Sequence, residues 1–371
     1  MRTKVLMIAA LTVLVGRMEA QNAYDPNTPD GKLVYAITQE NDDAKKQALL
    51  QELVTTYPNS NQVPWAWAQL QAAYLKAQEY DKAMEAGEKS LAGNPDQTEV
   101  AYNNLKAAEA KNDPDAVAKW ADETSRDARK EISSPRSTQS QIDYAKQVDT
   151  YTEYSVFAQS LKTTDPGKIV MLVQSLEQRN PQSPYLGKCY GRYLNALKQE
   201  GQGDKADALA EQELQRDPNN EDVLLFAATY EVQKNHNDKA LTYAAAVLKV
   251  VQSKPKPDDV SDADWLKQKD TYLGVSYWVE GMAYNGQQKF SDADKALKQA
   301  LPLVKDNKQV LPVVLFQLGV ADFGIGKASK SRTAMQEALK YSQQSAAMPS
   351  PVQAEAANNA KAIARALGPH K

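Results

Sequence analysis

Two histidines and one cysteine are all that this chain of 371 residues offers toward imidazole or thiol chemistry. His236 sits in the turn-like run Asn235-His236-Asn237-Asp238, and His370 is next to the last residue, so both read as surface histidines. Cys189 has no histidine near it in sequence and reads as a small apolar residue, not a nucleophile. A lone thiol forms no internal disulfide. Two distant histidines and one cysteine do not make the usual transition-metal sites, so neither a metal nor another cofactor is expected. Residues 321–328, Ala-Asp-Phe-Gly-Ile-Gly-Lys-Ala, come nearest to a phosphate loop. Alanine stands where the first glycine belongs and again where the hydroxyl residue belongs, and the run follows a helical pattern instead of a strand. It reads as a turn between two helices, with Gly326 taking a conformation that bulkier residues resist. No Gly-x-Ser-x-Gly elbow and no His-Glu-x-x-His occurs. Carboxylates are plentiful, as in Asn41-Asp42-Asp43 and Asp258-Asp259, and there they read as solvated turns or helix starts, where Asp accepts from free N–H groups. Paired acids have no fixed sequence spacing, so an enzyme built on such a pair stays as the alternative to a non-catalytic protein.

Charged residues make up 25% of the chain and hydrophobic ones 42%, the balance of a soluble folded protein. Alanine, glutamine, lysine and leucine are common while phenylalanine and glycine are scarce, which favours helix over strand. The formal net charge is −3; residues 1–20 carry Arg2, Lys4, Arg17 and Glu19, a sum of +2, which leaves −5 for the rest. This slight acidity gives no sign of a nucleic-acid partner. Residues 1–20 read as an export signal: a basic start, an apolar run over residues 5–15, and Ala20 before a cut at Gln21. The run is too short to span a membrane. No cysteine follows it, so a lipoprotein anchor is not expected, and no membrane span is expected after cleavage. No Asn-x-Ser/Thr sequon occurs either. A bacterial periplasmic or secreted protein is the expectation.

The elements that must position any site repeat. Trp67-x2-Leu70-Gln71-x2-Tyr74 is followed by Ala83, Leu91 and Pro95. The first four share one helix face. Ala83 is small where two helices approach, and Pro95 stops the second helix. A second unit reads Tyr277-x2-Glu280-Gly281-x2-Tyr284, then Ala293, Leu297, Ala300 and Leu301. A third reads Leu315-x2-Leu318-Gly319, then Met335, Ala338 and Leu339. Weaker units run from Val100 through Trp120, from Glu153 to Pro181, from Tyr190 to Pro218 and from Leu224 through Leu248, after an incomplete leading one from Leu33 to Pro58. Equivalent starts fall at 67, 100, 153, 190, 224, 277 and 315, in steps of 33, 53, 37, 34, 53 and 38.

This pattern resembles the tetratricopeptide repeat (TPR) family, whose units are helix–turn–helix pairs of about 34 residues. Gln71 replaces the usual glycine and Gly87 the usual bulky residue. The resemblance implies an all-α, right-handed superhelical solenoid of antiparallel helix pairs. Residues 1–20 are the signal, 21–63 a degenerate repeat or cap, and 64–252 repeats. Residues 253–350 hold further repeats after a Pro/Lys/Asp loop, and 351–371 a C-terminal capping helix and tail. The two long steps carry polar loops leading into long helical patterns, near residues 139–161 and 262–285, which read as extended first helices.

The resemblance also implies a non-catalytic scaffold of the cell envelope that holds a protein or peptide segment in a groove lined by first helices. It names no partner, because such repeats serve unrelated pathways. The alternative is a small-ligand or glycan binder, or an enzyme, using that groove; a third is a structural assembly subunit. Trp65, Tyr151, Tyr154, Trp278, Met282, Phe316 and Phe323 flank the packing faces of first helices. They either line the groove or pack the extended helices against their neighbours. Lys188, Arg192 and Asn195 share one helix face. A subclass of the family grips a peptide's terminal carboxylate with such residues, and a solvated face is the other reading of the three.

Overall fold

The computed structural model describes residues 24–258 and 260–368. The export signal expected over residues 1–20 lies outside them, as do Asp259, Pro369 and His370. The described residues form 17 α-helices and no strand. The chain divides into two compact units, one ending at Leu186 and one beginning at Gly187.

In the first unit, α1 (Pro29–Gln39), α3 (Val63–Lys76), α5 (Thr98–Lys111) and α7 (Gln139–Lys162) are first helices. Each is followed by its second helix: α2 (Asp43–Thr56), α4 (Tyr80–Gly93), α6 (Pro114–Ser133) and α8 (Pro166–Arg179). In the second unit the first helices are α9 (Leu186–Gln199), whose first residue closes the preceding unit, α11 (Glu221–Gln233), α13 (Asp262–Gly286) and α15 (Leu311–Ser329). Their second helices are α10 (Gly203–Arg216), α12 (Asn237–Ser253), α14 (Phe290–Leu303) and α16 (Arg332–Ala346). The last helix, α17 (Gln353–Leu367), buries Ala356, Ala360 and Ile363 and packs on α16 and α15. First helices also touch one another, α3 on α5, α5 on α7, α11 on α13 and α13 on α15.

Local chemistry sets the helix ends. Asp42, Asp113, Asp165, Asn220, Ser261 and Ser331 accept backbone N–H groups at helix starts, and Thr138 with Gln141 forms a capping box at α7. The turn inside a pair repeats in backbone terms too. Gln78, Gly201, Asn235 and Gln288 all take positive φ, and each lies eleven residues past its expected unit start at 67, 190, 224 or 277. Glycine adopts that conformation without strain; the three others take it because the helix must end there.

The alanines expected at helix contacts, Ala83, Ala293 and Ala338, are each 0% exposed. Gln71 and Gly87 are two halves of one exchange. A Cβ on Gly87 would come within 2.3 Å of Gln71 Nε2, so glycine on α4 makes room for the amide on α3. That amide donates to the Val100 carbonyl at 2.9 Å and to Asn104 Oδ1 at 2.8 Å on α5. In α13 and α14 the bulk is on the other side, where a Cβ on Gly281 would meet Leu297 Cγ at 2.3 Å.

The two long steps are occupied by α7 and α13, of 24 and 25 residues. The run at 321–328 is not a turn: α15 continues to Ser329, and the left-handed residue is Lys330. Gly326 lies within the helix, where a Cβ would meet Met335 Cγ at 2.5 Å. Its glycine serves close approach of α16, not a positive φ. Among the described residues, α15 is also the one helix long and apolar enough to cross a membrane by length and composition. It packs here against α13, α14, α16 and α17.

Candidate functional site

Five rings make a continuous ladder in the first unit. Tyr102 on α5 meets Tyr151 on α7 edge-on, with centroids 5.5 Å apart. Tyr151 lies 6.0 Å from Tyr154, one turn along α7. Tyr154 lies 6.4 Å from Phe157 and 6.0 Å from Tyr185, in the loop after α8. Phe157 stacks on Tyr185 at 5.1 Å with the planes 21° apart. These separations lie in the range where aromatic pairs attract beyond simple burial. Tyr154 leaves 47% of its surface open, while Tyr102 is 5% exposed. The ladder therefore has a buried root on α5 and an open middle on α7.

Carboxylates rim it. Tyr151 Oη donates to Glu109 Oε2 at 3.0 Å. Glu99 and Glu131 act electrostatically on Tyr144, at the N-terminal end of α7, and Glu153 acts on Tyr185. Glu153 also accepts from Asn180 Nδ2 at 2.8 Å, and Glu131 from Thr98 Oγ1 at 2.7 Å. One ammonium stands among them: Lys106 Nζ lies 4.5 Å from the Tyr102 centroid, a cation–π contact. Burial pushes the Tyr102 phenol up to about 12, and burial aided by the nearby acids pushes Tyr144 and Tyr151 further. Burial raises Tyr185 as well. At neutral pH these phenols are uncharged donors. Burial also raises Glu99, against the pull of Lys106, and lowers Lys106, against the pull of Glu99 and Glu109.

Of the residues singled out in the sequence, Tyr151 and Tyr154 meet in this ladder. Trp65 is partly buried against the core formed by Val34, Leu53, Leu70 and Ala83. In the second unit Trp278 packs against two core clusters and Met282 against one of them. The Trp278 indole N–H is buried without a hydrogen-bond partner. Phe316 is half-buried on α15, and Phe323 is half-buried with Lys327 Nζ 5.6 Å from its centroid. Lys188, Arg192 and Asn195 are exposed on α9, and Asn195 Nδ2 donates to its own helix at the Gly191 carbonyl, 2.7 Å away. Sequence reasoning missed Tyr102, Phe157 and Tyr185. The spacing of Tyr102, Lys106 and Glu109 on one helix face was the available signal for the first. Tyr185 lies in a loop and carries no periodic signal.

Cys189 is buried. His236 Nδ1 lies 2.6 Å from Glu231 Oε2 at the turn before α12. Among the described residues no group of three or more His, Cys, Asp or Glu side chains is placed to hold a metal ion.

No family model matches the sequence, and no curated protein matches it. Solved structures similar to the chain include the TPR domain of P58(IPK), at 11% identity and a TM-score of 0.33, covering 92% of this chain and 98% of that one. Another is the Cut9–Hcn1 hetero-tetramer of APC/C, at 11% identity and a TM-score of 0.29, covering 92% and 84%. A third is yeast Tom70, at 13% identity and a TM-score of 0.22, covering 91% and 96%. Scores this low carry no argument about function, so the description as helical repeats rests on the chain's own helix pairs and turns.

Proposed function

We propose that the chain is a non-catalytic scaffold that holds an extended segment of a partner protein on the first-helix face of its first unit. The observation that carries this reading is the ring ladder with Tyr154 half open at its centre. Tyr154 opens onto a run of four further rings, and aromatic anchors dominate the energetics of protein interfaces. A first-helix face built from successive repeats suits an extended segment, because each repeat adds contacts along one line. Export to the bacterial periplasm or beyond belongs to the same proposal and is supported by the residue pattern of positions 1–20. A mature protein whose mass begins at Met1 would remove that part of it. The binding reading is tested by Tyr154→Ala in the full chain. Partner capture from envelope extract should fall at least about tenfold while the helical circular dichroism is unchanged. Unchanged capture would end it.

A further inference from the structure

We infer that the segment held by the ladder is basic, and that an arginine or lysine of the partner enters beside Tyr151 and Tyr154, among the carboxylates near them. This rests on the protein-binding reading above and adds the partner's chemistry to it. Glu109 acts on Tyr102 and Tyr151 and Glu153 on Tyr185, while Glu99 and Glu131 act on Tyr144 beside the ladder. Arg179 acts electrostatically on Glu153, and Lys106 on Glu99 and Glu109. Arg179 is committed elsewhere: its side chain is 8% exposed, and Nη1 donates to the Ala121 carbonyl at 3.1 Å and to Thr152 Oγ1 at 3.0 Å. Lys106 is the other, and its ammonium rests over the Tyr102 ring between Glu99 and Glu109. The chain therefore already holds one cation in the way proposed for the partner's, by a ring face and flanking carboxylates.

The remaining occupants fit less well. An acidic segment would set its carboxylates beside four others. A wholly apolar segment would strip water from Glu99 and Glu109 and supply no donor in return. A guanidinium or ammonium meets both the ring faces, which are negative, and the carboxylates. Its apolar stem covers the rings, and the neighbouring side chains of the segment take the open side of Tyr154.

The probe is a library of short random peptides, panned against the full chain and against its Tyr154→Ala variant. Tyr154→Leu, which keeps an apolar side chain there, guards against a folding defect. Peptides whose capture depends on Tyr154 are expected to be rich in arginine and lysine beside apolar residues. Synthetic copies should bind about tenfold or more weakly to the double variant Glu99→Gln, Glu109→Gln, and weaken as salt rises. Lys106→Met, which removes the resident cation, should tighten them. Tyr154-dependent peptides that are neutral or acidic, or affinity that survives the glutamine substitutions, would overturn this inference and leave the protein-binding reading standing. If no peptide depends on Tyr154, both fall. If cell-wall oligosaccharides, and not peptides, bind the wild type and fail to bind Tyr154→Ala, both fall as well, and the rings are sugar-stacking platforms.

Discussion

Tyr154 and Trp278 stand at the same place in two repeats, one residue past the expected starts at 153 and 277, on first helices of 24 and 25 residues. Tyr154 is 47% exposed within a ladder of rings, whereas Trp278 is drawn against two core clusters of its unit. Residues on the first helices make the difference. Gly274 and Gly281 on α13 let α14 lie so close that added Cβ atoms would come to 2.8 Å from Val304 and 2.3 Å from Leu297. The same register on α7 holds Thr150 and Phe157. Phe157 fills the place that glycine leaves empty and adds a ring to the ladder. An aromatic on a lengthened helix is thus taken into the core where its neighbours are small. Where its neighbours are large it stays at the surface.

The comparison breaks most visibly at Trp278. Trp278→Ala should cost about 3–5 kcal/mol in chemical denaturation, since the ring packs against two clusters. A loss below about 1 kcal/mol would put Trp278 at the surface with Tyr154.

The second unit also encloses a carboxyl, and its titration sharpens the contrast. Burial and the neighbouring Asp294 raise Asp322 from 3.8 to about 6. Asp322 is 5% exposed. Lys298, paired with Asp294 at 2.8 Å, pulls the other way, while Glu337 adds to the rise. The folded-state pKa lies above the unfolded one. The folded protein thus keeps a proton over about pH 4–6 that the unfolded chain releases. The stability this gives is complete below about pH 4 and is lost as pH rises through about 6, up to about 3 kcal/mol in all. Asp322→Asn should remove that decline and stabilise the protein at pH 7. Denaturation curves at pH 4.5 and 7 that keep the wild-type difference would exclude the Asp322–Asp294 pair as its source.

Gly281→Ala should cost about 1–3 kcal/mol, because the new methyl meets Leu297 with little room to give. The double variant Gly281→Ala, Leu297→Ala should recover part of that loss relative to Leu297→Ala alone. No recovery would mean that Leu297 is not what crowds position 281. Tyr151→Phe is the smallest effect, about 1 kcal/mol for the hydrogen bond to Glu109, because the ring contacts stay.

The helix pairs were legible because an apolar face repeating at 3.6 residues, alanines at contacts and capping side chains act locally. The fates of Tyr154 and Trp278 were not legible. Both satisfy the same pattern, and the deciding residues are Phe157 and Gly281 on the first helices and Leu297 on the second. Tyr102 and Tyr185 escaped notice because their ring partners lie 49 and 31 residues away in the chain. Gly326 was misread because glycine serves both turns and close helix approach, and which use applies depends on Met335 across the pair.

The most direct test places a photo-crosslinking phenylalanine at position 154 of the full chain, with position 35 as the matched control. Tyr35 on α1 is 55% exposed and Tyr154 is 47% exposed, so chance encounters should label both alike. In cells that make the protein, the account predicts one discrete protein adduct from position 154 that is absent from position 35. No adduct at position 154, or the same adducts from both positions, would contradict the claim that the ladder holds a partner.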